Sequence, residues 1–165
     1  MPHSTRDRLV EVLLEPAWRD MTDPIEKIFS LLARYRQLME TDCVYGCPIG
    51  GLALEIHEPE PPVRELLAAN LQAWTDAVLE CLIEAGSRLP DALDRFSLAE
   101  FVLTIVEGAS MKARIFHDVA YFDRAVQELR NYIELLLYGR PSLSFPVRQA
   151  LADLGSGPPR TDQGK

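Results

Sequence analysis

The chain has 165 residues, enough for one domain with a core of its own, and 47% hydrophobic against 25% charged residues is the balance of a globular protein. With 17 Lys and Arg against 25 Asp and Glu the net charge is −8. An acidic chain is a poor fit for a domain that grips nucleic-acid phosphates, so the charge reads as a means of staying soluble. Cys43, Cys47 and Cys81 are an odd, sparse set, against a secreted disulfide scaffold. Met1 to Arg8 lacks the apolar stretch of a signal peptide, and no run approaches the roughly 18 apolar residues of a membrane span, so a cytoplasmic location with no membrane partner is expected.

The elements read as helices from end to end. Ser4 or Thr5 can cap a first helix carrying Leu9, Val10, Leu13, Leu14 and Ala17 up to Trp18, with Pro16 marking a kink or an early end. Thr22 and Asp23 before Pro24 start a second helix to about Glu40, with Ile25, Ile28, Phe29, Leu32, Tyr35 and Met39 on one face. Tyr45-Gly46-Cys47-Pro48 breaks the pattern and opens a short third helix through Ile56. In it, Gly50 and Gly51 leave room for a backbone or a ligand to approach.

Pro59, Pro61 and Pro62 stop that helix and launch the longest, the fourth, where Val63, Leu66, Leu67, Leu71, Trp74, Ala77, Val78, Cys81, Leu82 and Ala85 share one arc. Gly86 ends it, and Ser97 with Glu100 three residues on reads as a capping box for a fifth helix to His117. Leu98, Phe101, Val102, Ile105, Val106, Ala109, Ala113 and Phe116 form its apolar side, with Glu100, Glu107 and Arg114 opposite. A sixth helix, Val119 to Tyr138, ends at Gly139 and Pro141. Its apolar arc covers nearly half the circumference, wider than one neighbour requires. Residues 1–140 thus read as one helical domain, and 141–165 as a short helix followed by a disordered tail. The fold class is all-α, a bundle of about six helices.

Chemistry-bearing patterns are few. Cys43 and Cys47 could hold a metal, act as a redox pair or simply pack, and packing or pocket lining is the reading that needs no further ligands. Glu55, His57, Glu58 and Glu60 read as a solvated turn, and His117 as a helix-end residue favoured by the dipole. No phosphate loop, nucleophile elbow or Ser/His/Asp signature stands in the sequence, so no catalytic residue, metal or cofactor is expected. Helical bundles hold ligands between helices, which points to a pocket at the second, third and fourth helices lined by Phe29, Met39, Tyr45, Cys47, Leu71 and Trp74.

The run Tyr45-Gly46-Cys47-Pro48-Ile49-Gly50-Gly51-Leu52-Ala53-Leu54-Glu55 resembles a segment of the C-terminal regulatory domains of TetR/AcrR-type repressors. Trp74 in the long helix, Leu98-Ala99-Glu100, and Glu107-Gly108-Ala109 leading to Lys112-Ala113-Arg114 follow in the order such domains use, so the resemblance spans about Arg8 to Tyr138. It implies an effector-binding domain for a small, mostly apolar molecule. It also implies a homodimer, with a heterodimer with full-length relatives left open, built from the last two helices as a four-helix interface. The residues expected there are Phe122, Leu129, Ile133, Leu136, Gly108 and Ala109. Only a few residues precede Ser4 where the family's helix-turn-helix head should stand, so direct DNA binding by this chain is not expected. A stand-alone helical carrier or interaction module that kept the fold is the alternative reading.

Overall fold

A computed structural model describes residues 13–41, 47–56 and 60–139. Among them are six α-helices and no strand: α1 (Glu15–Trp18), α2 (Pro24–Thr41), α3 (Pro48–Glu55), α4 (Pro61–Glu84), α5 (Arg95–Phe116) and α6 (Ala120–Tyr138), with a 3₁₀ turn at Gly86–Arg88. The all-α expectation holds, and α2, α3, α4 and α6 fall close to where their start and stop signals put them. The Ser4/Thr5 cap, Cys43, Tyr45, His57 and the short helix expected after Pro141 lie outside the described residues.

Helix ends follow local chemistry. Leu13 and Leu14 form a π-helical turn that tightens to α at Glu15, beside the Pro16 ring that cannot donate a backbone hydrogen bond. Asp23 caps α2, its Oδ1 accepting from the Ile25 and Glu26 amides at 2.8 and 3.1 Å. The capping box expected at Ser97 is displaced by one turn: Asp94 is the cap of α5, accepting from the Phe96 and Ser97 amides, and the Ser97 hydroxyl donates back to Asp94. Glu100 is thereby released from the cap and accepts from the Thr75 hydroxyl on α4. His117 closes α5 in the left-handed region at φ 49° and Gly139 closes α6 at φ 66°.

Helices α2, α4, α5 and α6 form a closed ring, with α2 against α4 and α6, and α5 between α4 and α6. Inside it lie Ile28, Phe29, Leu32 and Met39 of α2, Val78, Cys81 and Leu82 of α4, Val102, Val106, Ala109 and Ala113 of α5, and Phe122, Leu129 and Ile133 of α6. A smaller cluster of Leu13, Leu14, Leu31 and Ala77 seats α1. By length and composition α4 would suit a membrane span, with mean hydropathy 1.2 over its most apolar window. A core helix passes the same test, and α4 buries Leu67, Thr75, Ala77, Val78, Cys81 and Leu82 between its neighbours.

Placing α6 in the ring corrects the interface expectation. Phe122, Leu129, Ile133 and Ala109 are buried inside their own subunit, and Leu136 packs against the same core. The wide apolar arc of α6 serves two neighbours within one chain, α5 and α2.

Two charged forks pin α2 to α6. Arg36 holds the Asp123 carboxylate, and Arg130 holds Glu26 at 2.7 and 3.1 Å while its guanidinium lies over the Phe29 ring, 3.8 Å from its centre. The hydrogen bonds from Arg130 hold the Glu26 carboxyl below its usual range. Because both charges are partly solvated, the fork contributes less than a buried pair would, and the ring contact adds to it. Arg130→Ala is expected to destabilise the chain by about 1–2 kcal/mol, read from urea denaturation. Glu26→Gln, which leaves the ring contact, is expected to cost less.

Candidate functional site

On the outside of the ring, α3 lies across α4 and α5 and roofs a cavity of about 590 Å³. The local sequence explains the roof. Cys47 stands in extended backbone and caps α3, its sulfur accepting from the Gly50 amide at 3.4 Å, while Pro48 occupies the first helical position. The two glycines that follow are approached by side chains from α5. The Glu107 carboxylate presses on Gly50 so closely that a Cβ would collide with it, and Arg114 Nη1 lies 2.8 Å from where a Cβ on Gly51 would stand. Glycine here is a matter of clearance, since both positions are helical.

The cavity wall comprises Cys47, Gly50, Gly51, Ala53 and Glu55 from α3 and its cap, Leu71 from α4, and Glu107, Gly108, Met111, Arg114 and Ile115 from α5. Leu71, Met111 and Ile115 supply the apolar bulk. A second depression of about 480 Å³ between α4 and α5, lined by Ala68, Leu71, Gln72, Thr75, Glu100, Leu103, Thr104 and Glu107, shares Leu71 and Glu107 with the first. Glu107 therefore stands at the junction. Arg114 pairs with Glu55 at 3.5 Å, both well exposed.

Of the residues expected to line a pocket, Cys47 and Leu71 do. Phe29 and Met39 are in the ring's core, and Trp74 packs edge-on against Tyr35 with ring centres 5.4 Å apart. The cavity is bounded by α3, α4 and α5, where the sequence reading had α2, α3 and α4. The apolar face of α2 is consumed by the core. The residues missed by that reading on α5 are Glu107, Gly108, Met111, Arg114 and Ile115.

Burial raises the Glu107 carboxyl above its ordinary value of 4.5, and a hydrogen bond with Cys47 opposes part of that rise. Behind it, burial pushes the Tyr35 phenol well above its usual range, and the Ser110 hydroxyl donates to Tyr35 at 3.4 Å. A carboxyl whose folded-state pKa is raised contributes its stability in acid and loses it as pH climbs through that pKa. Glu107→Gln escapes the loss, so its melting temperature is expected to exceed wild type by a margin that opens as pH rises above the ordinary carboxyl value of 4.5. A margin independent of pH would show that the carboxylate is not strained by burial.

Residues 24–128 match the family model described as transcriptional regulator LmrA/YxaF-like, C-terminal domain, a TetR C-terminal domain. The chain belongs to the TetR C-terminal domain family. That match takes in α2 to α5 and the first half of α6, so it contains both cavities and most of the ring. The TetR domain is also 30% identical over 115 residues to two uncharacterised HTH-type transcriptional regulators of Mycobacterium tuberculosis, from strains CDC 1551 / Oshkosh and ATCC 25618 / H37Rv. Each alignment covers 66% of this chain and 58% of the relative, so the chain spans little more than half the length of these proteins. No solved structure matches this chain.

Proposed function

We propose that this chain is the effector-binding and dimerisation part of a TetR-type transcriptional regulator, sensing a small, mostly apolar molecule in the cleft that α3 roofs over α4 and α5. The observation that carries this reading is the cavity itself. Its volume of about 590 Å³ lies in the range of small-molecule sites, and its walls are apolar around a few polar groups. The family's regulators generally dimerise and answer to small-molecule effectors, which supports both halves of the proposal.

The dimer face follows from what the ring leaves outside. On α5, Phe101 is exposed and lines neither depression, since the wall of the roofed cleft begins a turn and a half later at Glu107. Phe101 stacks edge-on with the exposed Tyr132 of α6, extending the patch onto the second helix. A chain of net charge −8 is a poor binder of duplex DNA, so operator contact belongs elsewhere in such a regulator.

Occupancy of the cleft is tested with 1-decanol as the probe. Saturating 1-decanol is expected to raise the melting temperature of wild type, because a ligand that binds only the folded state stabilises it. Leu71→Trp, which fills the cleft from the α4 wall, is expected to melt normally and to lose that rise. A Leu71→Trp variant stabilised as much as wild type would place the ligand elsewhere.

A further inference from the structure

Resting on the effector cleft just proposed, we infer that its ligand is an apolar amine, a cationic head on a hydrophobic body, with Glu107 as the counter-ion. The reasoning starts from charge balance. Around the two joined depressions stand three carboxylates, Glu55, Glu100 and Glu107, against one cation, Arg114. Arg114 is already paired with Glu55 at the solvent-facing end, and Glu100 accepts from the Thr75 hydroxyl. Glu107 is the most enclosed of the three and stands where the depressions meet. Among the described residues no Lys or Arg forms an ion pair with it, and it shares a hydrogen bond with the Cys47 side chain.

A carboxylate held in an apolar wall is costly unless something compensates it, and a cation delivered by the ligand is such a compensation. The apolar body then has Leu71, Met111 and Ile115 to lie against. An anionic head would face the opposite balance. It would have to displace Glu55 from Arg114 and sit beside Glu107, a like charge in a poorly solvated site. The close seat of the Glu107 carboxylate on Gly50 gives binding a way to be felt: a head that draws the carboxylate toward itself releases the first turn of α3, the roof of the cleft.

The test uses three probes with the same ten-carbon chain and different heads: decylammonium, 1-decanol and decanoate, each titrated calorimetrically below its aggregation limit. Decylammonium is expected to bind about tenfold tighter than 1-decanol, with decanoate weakest. In Glu107→Gln the decylammonium affinity is expected to fall to that of 1-decanol, which itself changes by no more than about twofold. A pH series on the wild type gives a second readout that does not depend on the variant folding. The ratio of decylammonium to 1-decanol affinity should shrink as pH falls and Glu107 takes up a proton, while the amine stays charged throughout.

Decanoate binding as tightly as decylammonium, or an amine preference that survives both Glu107→Gln and acidification, would overturn the assignment of ligand class and leave the cleft standing. Failure of all three probes to bind would remove the effector cleft itself.

Discussion

Ile133→Glu is expected to unfold the chain. Ile133 is fully buried on α6 among Phe122 and Leu129, inside the ring. Burying a side chain of this kind contributes roughly 1.5–3 kcal/mol, and an unpaired buried charge costs several more. Together these consume most of the roughly 5–15 kcal/mol margin of a domain this size. Circular dichroism at 25 °C should show a chain that has lost its cooperative melt. A folded Ile133→Glu variant would mean that α6 turns this face outward, and the ring arrangement would be wrong.

Phe101→Glu is expected to do the reverse, leaving the fold and breaking the dimer. Phe101 is 47% exposed on α5 and its partner ring Tyr132 is 40% exposed, so a charge there remains hydrated in the isolated subunit. The substitution loses the edge-on pair, worth about 1 kcal/mol. In a two-fold interface the charge enters twice, and about 2 kcal/mol or more at each copy weakens association by about a thousandfold. Sedimentation equilibrium should find wild-type dimers and Phe101→Glu monomers with a nearly unchanged melt. Dimers of equal affinity in both would move the interface to another surface.

These opposite outcomes mark where the sequence was readable. Helix positions were legible because Pro24, Pro48 and Pro61 open helices and Gly86 and Gly139 close them in left-handed backbone. The periodicity of α6 was legible as well, but a wide apolar arc does not say which neighbours cover it. Leu129 and Ile133 were assigned to a second subunit when α2 and α5 of the same chain already enclose them. The same ambiguity misplaced the pocket, since an apolar face such as that of Phe29 and Met39 reads alike whether it meets a core or a cavity.

The polar side of α5 was the least legible part. Glu100, Glu107 and Arg114 recur every seven residues opposite the apolar arc, which is how a solvated face looks. They line the clefts instead, because α3 folds back over Glu107 and Arg114 and α4 flanks Glu100. Gly50 and Gly51 held the missing signal. They announced a close approach, and the groups that approach are the side chains of Glu107 and Arg114.

Methyl NMR on the chain labelled at its four methionines gives the most direct test of where a ligand sits. Met111 lines the cleft and Met39 is buried in the core behind it. On saturation with 1-decanol the Met111 methyl resonance should shift while that of Met39 stays in place. A shift at Met39 with Met111 unmoved, or no shift at either, would contradict an effector cleft between α3, α4 and α5.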